Sequence, residues 1–275
     1  MQLIVFTDLD GTLLDSRYTF GPATEAIRHL EGKGIPLVIV STKTAAEIRE
    51  TRKVLGNTHP FVAENGGSVH IPSGYFGKIP HFSAVPAGDE SVISLGRPYE
   101  DLREGVRRLQ EAGLPVRGFG DMSVEEVAAL TGLRPDEAAR AKDRHHDEPV
   151  VGDGADMEAV RRILAQLGLR AIGGRFFHVT GGNDKGSGVE ILIDLYRRRF
   201  GRIVTAAFGD AANDLPMLQK VDFPFLVRKR DGRHEPTDQE NVAWLAGVGP
   251  EGWIEGVRRL LEMMELVRRT TGEGC

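Results

Sequence analysis

Four aspartates are the residues best placed to do chemistry in this 275-residue chain. Asp8 and Asp10 follow the apolar run QLIVFT at 2–7, and Asp210 and Asp214 follow RIVTAAFG at 202–209. Two carboxylates two residues apart repel when both are ionised, which raises one pKa. A divalent cation relieves that repulsion, and carboxylates are the oxygen ligands that Mg2+ prefers. Gly11 permits a turn after Asp10, and Thr12 can hydrogen-bond within it. Either cluster alone also reads as an Asx-rich turn that merely ends a strand; two clusters, each closing a strand-like run, weigh against that.

Other polar groups stand at similar junctions. Ser41 follows IPLVIV at 35–40. A hydroxyl and backbone amides at a helix start make an anion site, or an ordinary N-cap. Glu64 and Asn65 close the run PFVA at 60–63. Lys185 lies in GGNDKGSG, which is not a phosphate-binding P-loop, because the order is wrong: the lysine precedes its glycine, and no strand leads directly into a GxxxxGK. It reads either as a solvated surface lysine or as a point charge for a phosphate.

The elements that must hold these residues alternate in type. Strands are expected at 2–7, 35–42 and 60–67, with helices at 22–33 and 44–56; this βαβαβ order predicts a doubly wound parallel sheet. Residues 68–97 read as a hairpin and connection. Helices follow at 98–112, 123–131, 135–146 and 154–167, then strand-like pieces at 169–174 and 175–182. From 183 the rhythm returns, with a helix at 185–201, a strand at 202–210, a short helix at 211–221, a strand at 223–230 and a closing helix at 251–269. The fold class is therefore α/β: a doubly wound (Rossmann-like) parallel-sheet core, 1–82 and 183–275, with an inserted α+β cap at 83–182. In open α/β sheets ligands bind beyond the carboxyl ends of the strands, and Asp8–Asp10, Ser41, Asn65 and Asp210–Asp214 all fall there.

Composition narrows the classes. Hydrophobic residues make up 40% and charged residues 27%, which suffices for a globular core. The single cysteine, Cys275, excludes a disulfide framework and a cysteine-based metal site. A net charge of −5 argues against a nucleic-acid partner. No apolar run reaches the roughly 18 residues of a transmembrane helix, and no basic leader precedes residues 2–7. The expectation is a soluble, cytoplasmic protein with no membrane partner; its oligomeric state is not legible.

DLDGTLL at 8–14, Ser41, Lys185 and GDAAND at 209–214 resemble, in order and spacing, the four motifs of the haloacid dehalogenase-type phosphatases. STKTAAEI at 41–48, ENGG at 64–67, DRHHDEP at 143–149 and HVTGGNDKG at 178–186 are similar to the mannosyl-3-phosphoglycerate phosphatase branch, whereas most sugar phosphatases there carry TGR in place of Ser41-Thr42-Lys43. The resemblance implies Asp8 as the nucleophile that becomes an aspartyl phosphate and Asp10 as general acid, then base. Ser41 and Lys185 would hold the phosphoryl oxygens. Mg2+ would be bound by Asp8, the backbone carbonyl of Asp10 and Asp210, with Asp214 close by. The implied reaction turns mannosyl-3-phosphoglycerate into mannosylglycerate and phosphate. The alternatives are a broader sugar-phosphate phosphatase or phosphomutase, and a non-catalytic phosphate or Mg2+ sensor. Substrate choice would lie in the insert. A glycerate carboxylate calls for a bidentate arginine, with Arg144 the first candidate beside Arg140 and Arg175. Thr180, Gly181 and Gly182 would offer a hydroxyl and amides to a sugar ring, and Glu64 and Asn65 would face the same cavity. Closure of the cap would use hinges near 80–86 and 181–184.

Overall fold

Apolar runs without alternation become strands covered on both faces. The computed structural model describes residues 1–15, 18–77, 83–173 and 176–271. Positions 80–82 of the expected first hinge, Arg175 and the tail ending in Cys275 lie outside the described residues. In chain order the first elements are β1 (Gln2–Thr7), α1 (Thr24–Gly32), β2 (Leu37–Val40), α2 (Ala45–Leu55), β3 (Phe61–Ala63), β4 (Ser68–Pro72), β5 (Ala84–Ala87) and β6 (Glu90–Ser94). They are followed by α3 (Tyr99–Glu111), β7 (Arg117–Gly118), α4 (Val124–Thr131), α5 (Pro135–Ala141), β8 (Asp147–Val151), α6 (Met157–Gln166), β9 (Arg170–Ile172) and β10 (Phe177–Thr180). The chain closes with α7 (Lys185–Phe200), β11 (Ile203–Gly209), α8 (Leu215–Leu218), β12 (Phe223–Arg228), β13 (Ala243–Val248) and α9 (Pro250–Thr271).

These elements divide into two units. One comprises Met1–Val40 and the chain from Val189 onward; the other is the continuous stretch Ser41–Gly188, which contains all of the expected cap, 83–182. In the first unit the strands lie in the order β13-β12-β11-β1-β2 and every neighbouring pair is parallel. Ile4, Val5, Phe6, Val38, Ile39, Ala206, Ala207 and Phe208 are fully buried, as an all-parallel sheet requires. Trp253 of α9 is fully buried, its ring 5.8 Å from that of Phe208. Because Thr7 lies opposite Phe208 in the β1–β11 register, the residues that follow each strand leave the same edge.

The second unit holds two antiparallel arrays, β3-β4-β6-β5 and β7-β8-β10-β9. Leu102, Val106 and Leu109 of α3 and Val160 and Leu164 of α6 pack with Val150 of β8 and Val179 of β10. The fold is α/β, with an α+β body inserted in the chain. Three expectations are corrected. The helix expected over 135–146 stops at Ala141, and Asp147–Val151 is a strand. A seventh strand, β7, and a thirteenth, β13, stand where none was expected. Among the described residues no helix is long and apolar enough to cross a membrane.

Candidate active site

In the first unit β1 and β11 deliver their carboxylates side by side. One carboxylate oxygen each from Asp8, Asp210 and Asp214 lies within 4.8 Å of the others. Asp8 and Asp214 are buried. The Asp8 amide donates to the Phe208 carbonyl at 2.9 Å, locking β1 to β11 at the site. Asp214 Oδ2 accepts the amides of Asp210 (2.9 Å) and Ala211 (3.0 Å), which folds the GDAAND loop back on itself. Thr12 Oγ1 donates to Asp210 Oδ1 at 3.1 Å, so this hydroxyl crosses to the other cluster instead of serving its own turn. Gly11 holds φ +81°, and a Cβ there would sit 2.6 Å from Asp210 Oδ2. Three hard oxygen donors at this separation repel one another unless a cation sits among them, and the set fits a divalent metal. The carboxylate of Asp10 is outside this trio; the expected contribution of Asp10 is its backbone carbonyl. Asp10 lines an adjoining cleft of about 280 Å³ together with Tyr18, Asp210, Lys229, Arg230 and Val248.

The second unit gathers the remaining expected residues. Ser41 is fully buried; its amide donates to the Val62 carbonyl (3.0 Å), its carbonyl accepts the Asn65 amide (2.9 Å) and its hydroxyl accepts the Lys43 amide (3.2 Å). Thr44 and Glu47 close a reciprocal cap at the start of α2, so the N-cap role there belongs to Thr44 and not to Ser41. Glu64, Asn65 and Gly66 are consecutive left-handed residues (φ 51°, 55° and 85°), and a Cβ on Gly66 would strike the Asp184 carbonyl. That close approach sets the Ser41–Asn65 loop against the start of α7, where Lys185 is 1% exposed, which removes the surface-lysine reading.

Glu64 points inward. Its carboxylate accepts the amides of His145 (2.9 Å) and His146 (2.6 Å), and these contacts end α5 early by drawing the chain away. Burial pushes its carboxyl above the ordinary value, opposed by the Arg144 guanidinium and by those two amides. Arg144 is itself buried, donating to the carbonyls of Ala141 (2.8 Å) and Thr42 (2.8 Å) and to Asp147 Oδ1 (3.2 Å). Asp147 also meets His178 Nδ1 at 2.7 Å. Thr180 is buried opposite Asp147 in the β10–β8 register; Thr180 Oγ1 and Asp147 Oδ2 carry no hydrogen bond among the described residues. Gly181 packs on Arg97, and Gly182 holds φ +91° beside Arg170. Arg140 forms an i,i+4 surface pair with Asp136 at 2.8 Å.

Residues 5–78 and 173–231 match the haloacid dehalogenase-like hydrolases. A Persephonella marina protein named glucosyl-3-phosphoglycerate/mannosyl-3-phosphoglycerate phosphatase is 36% identical over 268 residues, covering 96% of this chain and 98% of that one. One of the same name from Methanococcoides burtonii is 39% identical over 269 residues, covering 95% and 98%. The chain belongs to the haloacid dehalogenase-like hydrolase family. Among solved structures, a Thermoplasma acidophilum protein has a TM-score of 0.67 at 19% identity, covering 97% of this hydrolase and 99% of that chain, a likeness of fold.

Several polar groups of this hydrolase were not singled out by sequence reasoning. Asp147 sits inside the quoted string DRHHDEP, but nothing in the spacing separates it from Glu148, whose carboxylate accepts Tyr99 Oη (2.7 Å) and pairs with Arg103 (2.6 Å). Lys229 and Arg230 follow β12 as Asp210 follows β11, so the rule of carboxyl strand ends was their available signal.

Proposed function

We propose that this hydrolase is a phosphatase that removes the phosphate from glycosyl-3-phosphoglycerates, turning the mannosyl ester into mannosylglycerate, through an aspartyl phosphate. Asp8 attacks phosphorus as the P–O bond to the glycerate oxygen breaks. Asp10 gives a proton to that departing oxygen, then takes one from the water that hydrolyses the Asp8 acyl phosphate, releasing phosphate and restoring Asp8. Ser41 and Lys185 take the phosphoryl oxygens, the lysine by charge and the serine by its hydroxyl. Asp8, Asp210 and Asp214, with the carbonyl of Asp10, would hold Mg2+. Bound there, the ion neutralises charge on the phosphoryl group and weakens its repulsion from the Asp8 carboxylate. Residues 83–182 serve as the cap that chooses the substrate.

The observation that carries this reading is the meeting of Asp8, Asp210 and Asp214, drawn from both ends of the chain, within 4.8 Å. It is supported by Asp10 lining the adjoining cleft, where an acid must stand to protonate a leaving group and where a mere phosphate sensor needs none. The names of the relatives supply the substrate class. Phosphate release from mannosyl- and glucosyl-3-phosphoglycerate, hexose phosphates and 3-phosphoglycerate, with Mg2+ and with a chelator, tests it. The glycosyl-3-phosphoglycerates should show the highest kcat/KM, only with the metal. A higher kcat/KM on hexose phosphates would point to the broader sugar phosphatase.

A further inference from the structure

The cleft beside the three carboxylates is lined by charges of both signs. Asp10, Asp15 and Asp210 are the acids; Lys229 and Arg230, on the turn after β12, are the bases. That turn is closed by backbone bonds from Lys229 to Arg233 (2.8 Å) and from Gly232 to Lys229 (3.0 Å). Most of its charges are matched locally. The Lys229 ammonium pairs with Glu235, and Arg233 is forked onto Asp231. The acids are matched in part as well: Asp15 accepts the amide and hydroxyl of Thr19, both at 2.8 Å. Arg230 is exposed, lines the cleft, and has no hydrogen-bond or ion-pair partner among the described residues.

The leaving group of the proposed reaction is a second anion. In a glycosyl-3-phosphoglycerate the phosphate occupies one hydroxyl oxygen of glycerate and the sugar the other, so the carboxylate stays ionised. Only two carbons separate that carboxyl group from the oxygen that Asp10 protonates. Whatever binds the carboxylate must therefore stand close to Asp10, in the same cleft. Arg144 does not suit the task, because its guanidinium is buried and already donates to Thr42, Ala141 and Asp147. We infer that Arg230 binds the glycerate carboxylate, its planar fork matching the two oxygens, and so adds to the choice made by the cap a preference for phosphoglycerate esters over sugar phosphates that lack a carboxylate. This rests on the glycosyl-3-phosphoglycerate reading above and names the group that would enforce it.

The test is a comparison of wild-type, Arg230→Gln and Arg230→Lys proteins on mannosyl-3-phosphoglycerate and on glycerol 3-phosphate, which has no carboxylate. A charge-assisted contact of this kind corresponds to about a ten- to hundred-fold change in affinity. Arg230→Gln should raise KM for the glycerate ester by about that factor while kcat moves by less than about threefold. The ratio of kcat/KM between the two esters should fall with it. Arg230→Lys should recover part of the loss, because it keeps the charge without the fork. An active wild type whose Arg230→Gln variant keeps its KM, or loses equally on both esters, overturns this inference alone. A wild type active on glycerol 3-phosphate but inert on the glycosyl ester overturns the proposed function and the inference with it.

Discussion

Gly11 shows how narrowly the metal-type cluster is built. Its φ of +81° suits glycine, and the space its missing side chain leaves is filled by the Asp210 carboxylate. Gly11→Ala should cost about 1–2 kcal/mol from the left-handed backbone alone and should also displace Asp210. Thermal unfolding with and without Mg2+ checks this: a lower Tm and a smaller Mg2+-dependent rise are expected, since a ligand bound only to the folded state stabilises it by mass action. Asp210→Asn separates charge from shape. Without metal its Tm should equal or exceed the wild type, because one of three crowded charges is gone, and the Mg2+ response should shrink. A wild-type Mg2+ response in Asp210→Asn would show that the trio does not hold the ion. The meeting of Asp8, Asp210 and Asp214 was legible because both acidic strings follow apolar runs whose carboxyl ends share one sheet edge. The Thr12–Asp210 bond was not, since it joins residues 198 apart in the chain. Nor were the bonds of Arg144 to the carbonyls of Ala141 and Thr42 and to Asp147, which only the folded 141–147 segment brings within reach.

Helix and strand propensities located most elements but failed where polar residues serve the interior. β8 begins Asp-Glu-Pro, residue types depleted in strands, yet both carboxylates are buried against cations and hydroxyls that only the folded chain supplies. β13 was missed because AWLAGV offers neither alternation nor a branched apolar run. The β4–β6 pairing carries a further interior cluster. His70 of β4 meets Ser68 Oγ at 3.0 Å and Glu90 Oε2 of β6 at 3.0 Å, and its ring stacks on Phe61 at 4.5 Å. Arg49 and Arg52 also pair with Glu90, at 2.9 and 3.5 Å. Burial holds the His70 pKa below 6.5 despite Glu90. Burial would raise the Glu90 carboxyl, but the bonds from His70 and Arg49 prevail and bring it to about 2. Both groups therefore take up protons more readily in the unfolded chain, so their contribution to stability fades as pH falls, below 6.5 for His70 and from 4.5 towards about 2 for Glu90. Urea midpoints measured across pH should fall on acidification. The slope below 4.5 should be shallower in Glu90→Gln; an equally steep fall there would contradict the assignment.

The topology as a whole explains why residues near both ends of the chain work together. β1 lies between β2 and β11, so the first strand of the sequence and a late one become neighbours, and a motif near residue 8 meets one near residue 210. The alternating βα rhythm made that arrangement readable in advance, because parallel strands joined by helices carry their polar ends to one edge. The interior wiring of Ser41–Gly188 was unreadable for the opposite reason: inside its antiparallel arrays lie buried ion pairs, such as Arg144–Asp147 and Arg103–Glu148, that follow no sequence period. Metal removal acts on the whole enzyme, and chelation should end turnover while Mg2+ restores it. The most direct measurement is steady-state phosphate release from mannosyl-3-phosphoglycerate by Asp8→Asn protein with Mg2+ present, its folding verified by thermal unfolding. Release at the no-enzyme background is expected, because no carboxylate nucleophile remains; sustained turnover by the folded variant would contradict the covalent mechanism.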